Sequence, residues 1–127
     1  MNALVETGID PKVYAAQFDS ISICLSKGLG APVGSVLVGT KEFIKQARRV
    51  RKVFGGGMRQ AGIIAAGGLY ALKNNVDRLK IDHEHARKLE ATLNQLEWVK
   101  SVLPVQTNIV VTILKDPNQR DVIIALL

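Results

Sequence analysis

Phe18-Asp19-Ser20-Ile21-Ser22-Ile23-Cys24-Leu25-Ser26-Lys27-Gly28-Leu29-Gly30-Ala31-Pro32-Val33-Gly34-Ser35-Val36-Leu37-Val38-Gly39-Thr40 reads as two strands and the loop between them. Ile21 to Leu25 alternates apolar and small polar residues, the period of a strand. Residues 26–34 form a glycine-rich loop, and Ser35 to Gly39 is a second short apolar strand turned at Gly39-Thr40. The segment from Gly28 to Thr40 carries no charge, but four glycines and a proline in 13 residues argue against a membrane-spanning helix.

Outward from this stretch the pattern turns helical. Upstream, residues 2–6 start as a helix-like segment, and Tyr14 to Phe18 leads into the first strand. Downstream, Thr40 can cap a helix whose face carries Phe43, Ile44, Ala47, Val50 and Phe54, ended by Gly55-Gly56-Gly57. An Ala-, Leu- and Ile-rich run over 58–74 predicts another helix. Gly67-Gly68 lies inside it, and each mid-helix glycine costs about 1 kcal/mol relative to Ala. Two together point to close backbone packing or a kink.

Asn74-Asn75 breaks that run. Val76, Leu79, His83, Ala86, Leu89, Leu93 and Leu96 then fall on one stripe of a long amphipathic helix. Trp98 to Leu103 reads as extended, stopped by Pro104, and Thr107 to Leu114 as a buried strand. The alternation of helix and strand predicts an α/β fold, with a boundary near Asn74-Asn75 that separates residues 1–75 from 76–127.

Composition narrows the function classes. A net charge of +6 with 47% hydrophobic residues excludes an acidic or charge-driven disordered chain. The single cysteine, Cys24, excludes an internal disulfide framework and suits a reducing compartment such as the cytoplasm. The first 20 residues hold Glu6, Asp10, Lys12 and Asp19, so they lack the apolar core of a secretory signal. Neither end reads as a finished element. The first helix has no obvious cap. The last segment starts well, with Asp116 as N-cap and Pro117 behind it, but stops on apolar residues. A piece of a longer protein is expected, and exposed apolar faces on it would favour self-association.

The loop Ser26-Lys27-Gly28-Leu29-Gly30 carries the strongest chemical signal. A lysine at the end of an apolar strand can be desolvated, which lowers its pKa, and a neutral amine attacks a carbonyl. Flanking glycines let a bulky cofactor approach the backbone. The alternative is an ordinary exposed loop lysine. Two phosphate motifs nearly match and fail: Gly34 comes one residue late for a dinucleotide fingerprint, and Gly34 to Lys41 places Thr before Lys where a P-loop needs the reverse.

Lys41, Lys45, Arg48, Arg49, Arg51, Lys52 and Arg59 hold most of the charge excess. They suit a solvated helix face, or a basic nucleic-acid-binding module whose affinity falls steeply with salt; with only Phe54 interleaved, base stacking has little support. They also suit an anion site at the Lys52 to Arg59 glycine break. His83 and His85 point in different directions on a helix, and His83 on the apolar stripe reads as packed. No metal site is expected. Cys24 reads as a small core residue.

Three stretches carry a resemblance. Phe18 to Ser35 is very similar to the cofactor-lysine region of the low-specificity threonine aldolases. Arg51-Lys52-Val53-Phe54-Gly55-Gly56-Gly57-Met58-Arg59-Gln60 resembles that family's next block, and Thr107-Asn108-Ile109-Val110 its small-domain strand. The order and spacing agree over essentially the whole chain.

The resemblance implies part of a type I pyridoxal-phosphate (pyridoxal 5'-phosphate) enzyme. Residues 1–75 would close the large domain, with its mostly parallel sheet, and residues 76–127 would begin the small C-terminal α/β domain. It implies cleavage of L-threonine or L-allo-threonine to glycine and acetaldehyde, Lys27 as the catalytic, cofactor-holding lysine, and Ser26, Lys52 and Arg59 as cofactor-binding residues. The family's active sites are built between subunits, which implies Lys52 and Arg59 in this chain's own site or in a neighbouring subunit's. An amino-acid substrate and a homo-oligomer, tetrameric or dimeric, are implied as partners, with neither nucleic acid nor membrane.

The pyridine-nitrogen aspartate and ring-stacking histidine of that family would lie before Met1, and a substrate-carboxylate arginine beyond Leu127. The chain alone is therefore expected to have little or no aldolase activity. Gly68 stands where the family more often has alanine.

Overall fold

The computed structural model describes residues 1–126. The element order is α1 (Asn2–Thr7), α2 (Pro11–Ala15), β1 (Ser20–Cys24), β2 (Ser35–Gly39), α3 (Lys41–Val53), α4 (Gly62–Asn74), α5 (Leu79–Leu93), β3 (Val99–Val102), β4 (Thr112–Leu114), a 3-10 turn (Pro117–Gln119) and α6 (Arg120–Leu126). This mixed helix and strand content fits the α/β expectation. Among the described residues the strands form two antiparallel pairs, β1 with β2 and β3 with β4. No helix among them is long and apolar enough to cross a membrane.

The chain divides into two compact units, Met1 with Ala3–Leu79, and Asn2 with the residues from Lys80 onward. In the first unit, β1 and β2 pair in unbroken register from Ser20 opposite Gly39 to Cys24 opposite Ser35. Leu25, Leu29, Ala31, Ala71 and Leu79 form the core, with Met1, Val5, Ile23 and Val76 packed against it. Every residue of β2 is exposed.

Local chemistry explains the helices of this unit. Thr40 Oγ1 accepts the Phe43 N–H at 3.2 Å and starts α3. The helix ends in a paired-bond C-cap: Gly55, at φ 81°, donates to the Lys52 carbonyl and Gly56 to the Arg51 carbonyl. Of the expected apolar face, Ile44 and Ala47 are half-buried, while Phe43, Val50 and Phe54 are exposed. The helix expected from residue 58 begins only at Gly62, because 55–61 form turns in which Gln60 takes a positive φ of 50°. The expected close packing at Gly67-Gly68 is present. A Cβ on Gly67 would lie 2.7 and 2.8 Å from the Pro32 ring, and one on Gly68 3.0 Å from Leu25 Cδ1. Asp10 accepts the Lys12 N–H and starts the short α2 with Pro11 at its first position, an element the hydrophobic pattern did not reveal.

In the second unit, His83, Ala86 and Val99 are buried. His83 is fully enclosed, with Nε2 3.0 Å from Asn2 Oδ1, which bears out the packed reading. Glu90 Oε1 accepts the Val105 N–H at 3.1 Å and ties the segment after β3 to α5. Of the strand expected over 107–114, only Thr112–Leu114 forms a strand, with one further bond from the Leu103 N–H to the Val111 carbonyl at 2.9 Å; its partner β3 is four residues long and carries an irregularity between Val99 and Ser101. Asp116 caps a 3-10 turn before α6 begins. The apolar stop at Leu127 lies outside the described residues.

Candidate functional site

The site is built around the 25–34 loop. Its neck is closed by two backbone bonds, Leu25 N–H to the Gly34 carbonyl at 3.0 Å and Ala31 N–H to the Leu25 carbonyl at 2.9 Å. A tight turn sits between them, where Gly30 donates to the Lys27 carbonyl at 2.8 Å. Gly30 at φ 66° and Gly34 at φ 98° occupy the left-handed region, which L side chains reach only with strain. Leu25, Leu29 and Ala31 are buried, so the loop is anchored on one side by apolar packing.

Ser26 and Lys27 lie on the other side and are exposed. Of the two readings of the strand-end lysine, desolvated or exposed in its loop, this chain by itself shows the exposed one. With Leu25, Leu29 and Ala31 turned into the core, Ser26 and Lys27 are left to solvent. Ser26 Oγ lies 3.8 Å from Cys24 Sγ. That hydrogen bond, helped by the Lys27 charge and the Ser35 hydroxyl, pulls the Cys24 thiol below its ordinary value. Cys24 is only half-buried, at the rim rather than in the core.

The second basic group lies after α3. Residues 51–63 are all exposed. Lys52 folds back over the glycine break, since a Cβ on Gly57 would lie 3.1 Å from its Nζ, and Arg51 covers Gly56 in the same way. Lys52 Nζ therefore lies over the backbone of the break, and Arg59 follows it in sequence as an exposed residue. Ser26 and Lys27 form one cluster and Lys52 with the break another. Among the described residues, no three His, Cys, Asp or Glu side chains gather as a metal site.

One residue with a clear part in this architecture gave no signal in the sequence. Asn75 Nδ2 donates to the Leu29 carbonyl at 2.7 Å, across 46 positions of sequence. Asn74-Asn75 reads locally as a helix stop, and nothing in the pattern points to the acceptor.

Comparison with known proteins places the chain in a family. The family model described as beta-eliminating lyase matches residues 1–117. The chain is 52% identical over 119 residues to the probable low-specificity L-threonine aldolase 2 of Arabidopsis thaliana, covering 92% of this chain and 34% of that protein. It is 55% identical over 94 residues to the low specificity L-threonine aldolase of Escherichia coli K12, covering 74% and 28%. It is 45% identical over 122 residues to the low-specificity L-threonine aldolase of Candida albicans, covering 93% and 32%. The chain thus spans about a third of the length of the curated relatives it matches. It belongs to the beta-eliminating lyase family, a pyridoxal-phosphate-dependent family of type I fold.

Proposed function

We propose that this chain is the lysine-bearing part of a pyridoxal-phosphate-dependent threonine aldolase that cleaves L-threonine or L-allo-threonine to glycine and acetaldehyde. The observation that carries the reading is the anchored loop that presents Lys27, in a chain 43–55% identical to proteins named low-specificity L-threonine aldolases. The first 75 residues would close the large domain and residues 76–127 open the small one. The broad exposed apolar surface of α4, with Ile63 at 83% and Tyr70 at 65%, supports packing inside a larger assembly. A homo-oligomer, dimeric or tetrameric, and a cytoplasmic setting complete the reading.

The donor set fits the cofactor by chemistry. A primary amine matches an aldehyde, and two cations beside bare backbone match a phosphate dianion. Lys27 would hold the cofactor covalently, Ser26 would stand beside it, and Lys52 and Arg59 would hold phosphate, in this chain's own site or a neighbouring copy's. The cofactor, when bound, supplies an electron sink for the carbon–carbon cleavage. The chain's contribution is to fix the amine at the loop turn, with Leu25, Leu29 and Ala31 as its buried footing, and to offset phosphate charge at the glycine break. Enclosure of Lys27 would come from groups beyond this chain.

The test is pyridoxal-phosphate addition, borohydride reduction and peptide mass mapping. One stoichiometric adduct on Lys27, absent in Lys27→Ala, is expected. Labelling scattered over many lysines, unchanged by Lys27→Ala, would refute the assignment.

A further inference from the structure

We propose that Asn75 is a positioning residue for Lys27, holding the lysine loop against α4 through the Leu29 carbonyl. The role assigned to Lys27 rests on the function proposed above; the seat of the loop rests on the geometry alone.

Three contacts join the loop to one face of α4. Ala71 lies four residues after Gly67 and three after Gly68, and Asn75 four after Ala71, so the two glycines flank the Ala71–Asn75 line on one side of the helix. Pro32 lies against Gly67 so closely that a Cβ there would meet the ring at 2.7 Å, and Leu25 lies over Gly68. At the helix end, Asn75 Nδ2 donates to the Leu29 carbonyl at 2.7 Å and lies 3.6 Å from where a Gly30 Cβ would be. Lys27 lies between the Leu25 and Leu29 anchors, and its own carbonyl accepts the Gly30 N–H. The Asn75 amide thus holds the carbonyl of Leu29, the residue joined directly to the Gly30 whose N–H donates to Lys27.

The amide has no competing duty at the helix end. The helix is closed by the Asn75 backbone N–H, which donates to the Ala71 carbonyl at 2.9 Å whatever the side chain. Leu29 is only 2% exposed, so its carbonyl has little access to water as a substitute donor. A carbonyl accepts and never donates, which makes the amide nitrogen, and no carboxylate, the group required.

Asn75→Ala removes the donor, and Asn75→Asp keeps the shape but sets an acceptor against an acceptor. Both variants and the wild-type chain are compared by amide hydrogen exchange, by melting, and by the rate of reductive pyridoxal-phosphate labelling at Lys27. Val99→Ala, a core deletion in the other unit, is the control for lost stability. The expected result is exchange at Gly30 and Ala31 about tenfold faster, and Lys27 labelling about tenfold slower, in the Asn75 variants. Val99→Ala should lower the melting temperature and leave both unchanged. Unchanged exchange and labelling in the Asn75 variants overturns the proposal, as does a uniform rise in exchange over the whole chain. Faster exchange at Gly30 and Ala31, in a chain whose wild type never labels at Lys27, upholds the positioning of the loop and refutes the functional reading instead.

Discussion

The Lys27 loop and the Gly55–Gln60 break are both glycine-bearing turns carrying cations, and they are held in different ways. The first is fastened by buried leucines, by Gly67 and Gly68 beneath it, and by the Asn75 amide. The second has no buried residue; it turns at Gly55, φ 81°, and Gln60, φ 50°, with only the exposed Arg51 and Lys52 side chains lying over it. A group that must act at a fixed place needs the first kind of support. A pair of cations that meets a mobile or incoming anion can work from the second. The chain therefore packs a buried footing beneath the Lys27 loop and leaves the Gly55–Gln60 break exposed.

The largest test of that contrast deletes an apolar side chain from each region. Leu29→Ala empties a buried position and should cost about 2–5 kcal/mol in denaturant unfolding. Phe54→Ala, at the edge of the break and 85% exposed, should change stability by no more than about 0.5 kcal/mol. Comparable losses at the two sites would mean that the break is also packed, and the contrast would fail.

The same contrast sets what the sequence discloses. Strands β1 and β2, the Thr40 cap and the glycine C-cap of α3 were legible because each signal lies within a few residues of its effect. The Lys27 loop was legible for the same reason. Whether its lysine is enclosed or exposed stayed open in the sequence, because burial of a side chain depends on everything packed around it. Asn75 was invisible as a loop anchor, since its acceptor lies 46 positions away and an asparagine at a helix end already has a sufficient local explanation. Thr107 to Leu114 shows the opposite failure. Its β-branched run has strand propensity throughout, yet pairing stops where the short partner β3 ends.

Glycine replacements give effects of intermediate size and opposite sign. Gly67→Ala gains roughly 1 kcal/mol of helix propensity but drives a methyl into the Pro32 ring, an overpacking that costs roughly 1–3 kcal/mol. The ring belongs to the fastened loop and cannot retreat, so a net loss of about 1 kcal/mol is expected in thermal or denaturant unfolding. Gly62, at the start of the same helix and beside the break, has no atom within 4 Å of an added Cβ. Gly62→Ala should stabilise the chain by about 0.5 kcal/mol. If both substitutions stabilise, the loop is not pressed against α4 and the seat argued from Gly67 is wrong.

The smallest effect is a reading of the loop's edge through Cys24. The Ser26 hydroxyl, and to a lesser degree the Lys27 charge and the Ser35 hydroxyl, favour the thiolate, so the thiol titrates below its ordinary 9.0. Only the thiolate is alkylated. The pH midpoint of iodoacetamide reaction with the folded chain should therefore lie below that of the urea-unfolded chain. Ser26→Ala should move it up toward the unfolded value, and Lys27→Ala should move it up by less. A loop as unconstrained as the Gly55–Gln60 break could not hold Ser26 beside the sulfur. Equal midpoints in folded and unfolded chain would then show that the neck of the Lys27 loop is loose at the strand end, whatever holds it at Leu29.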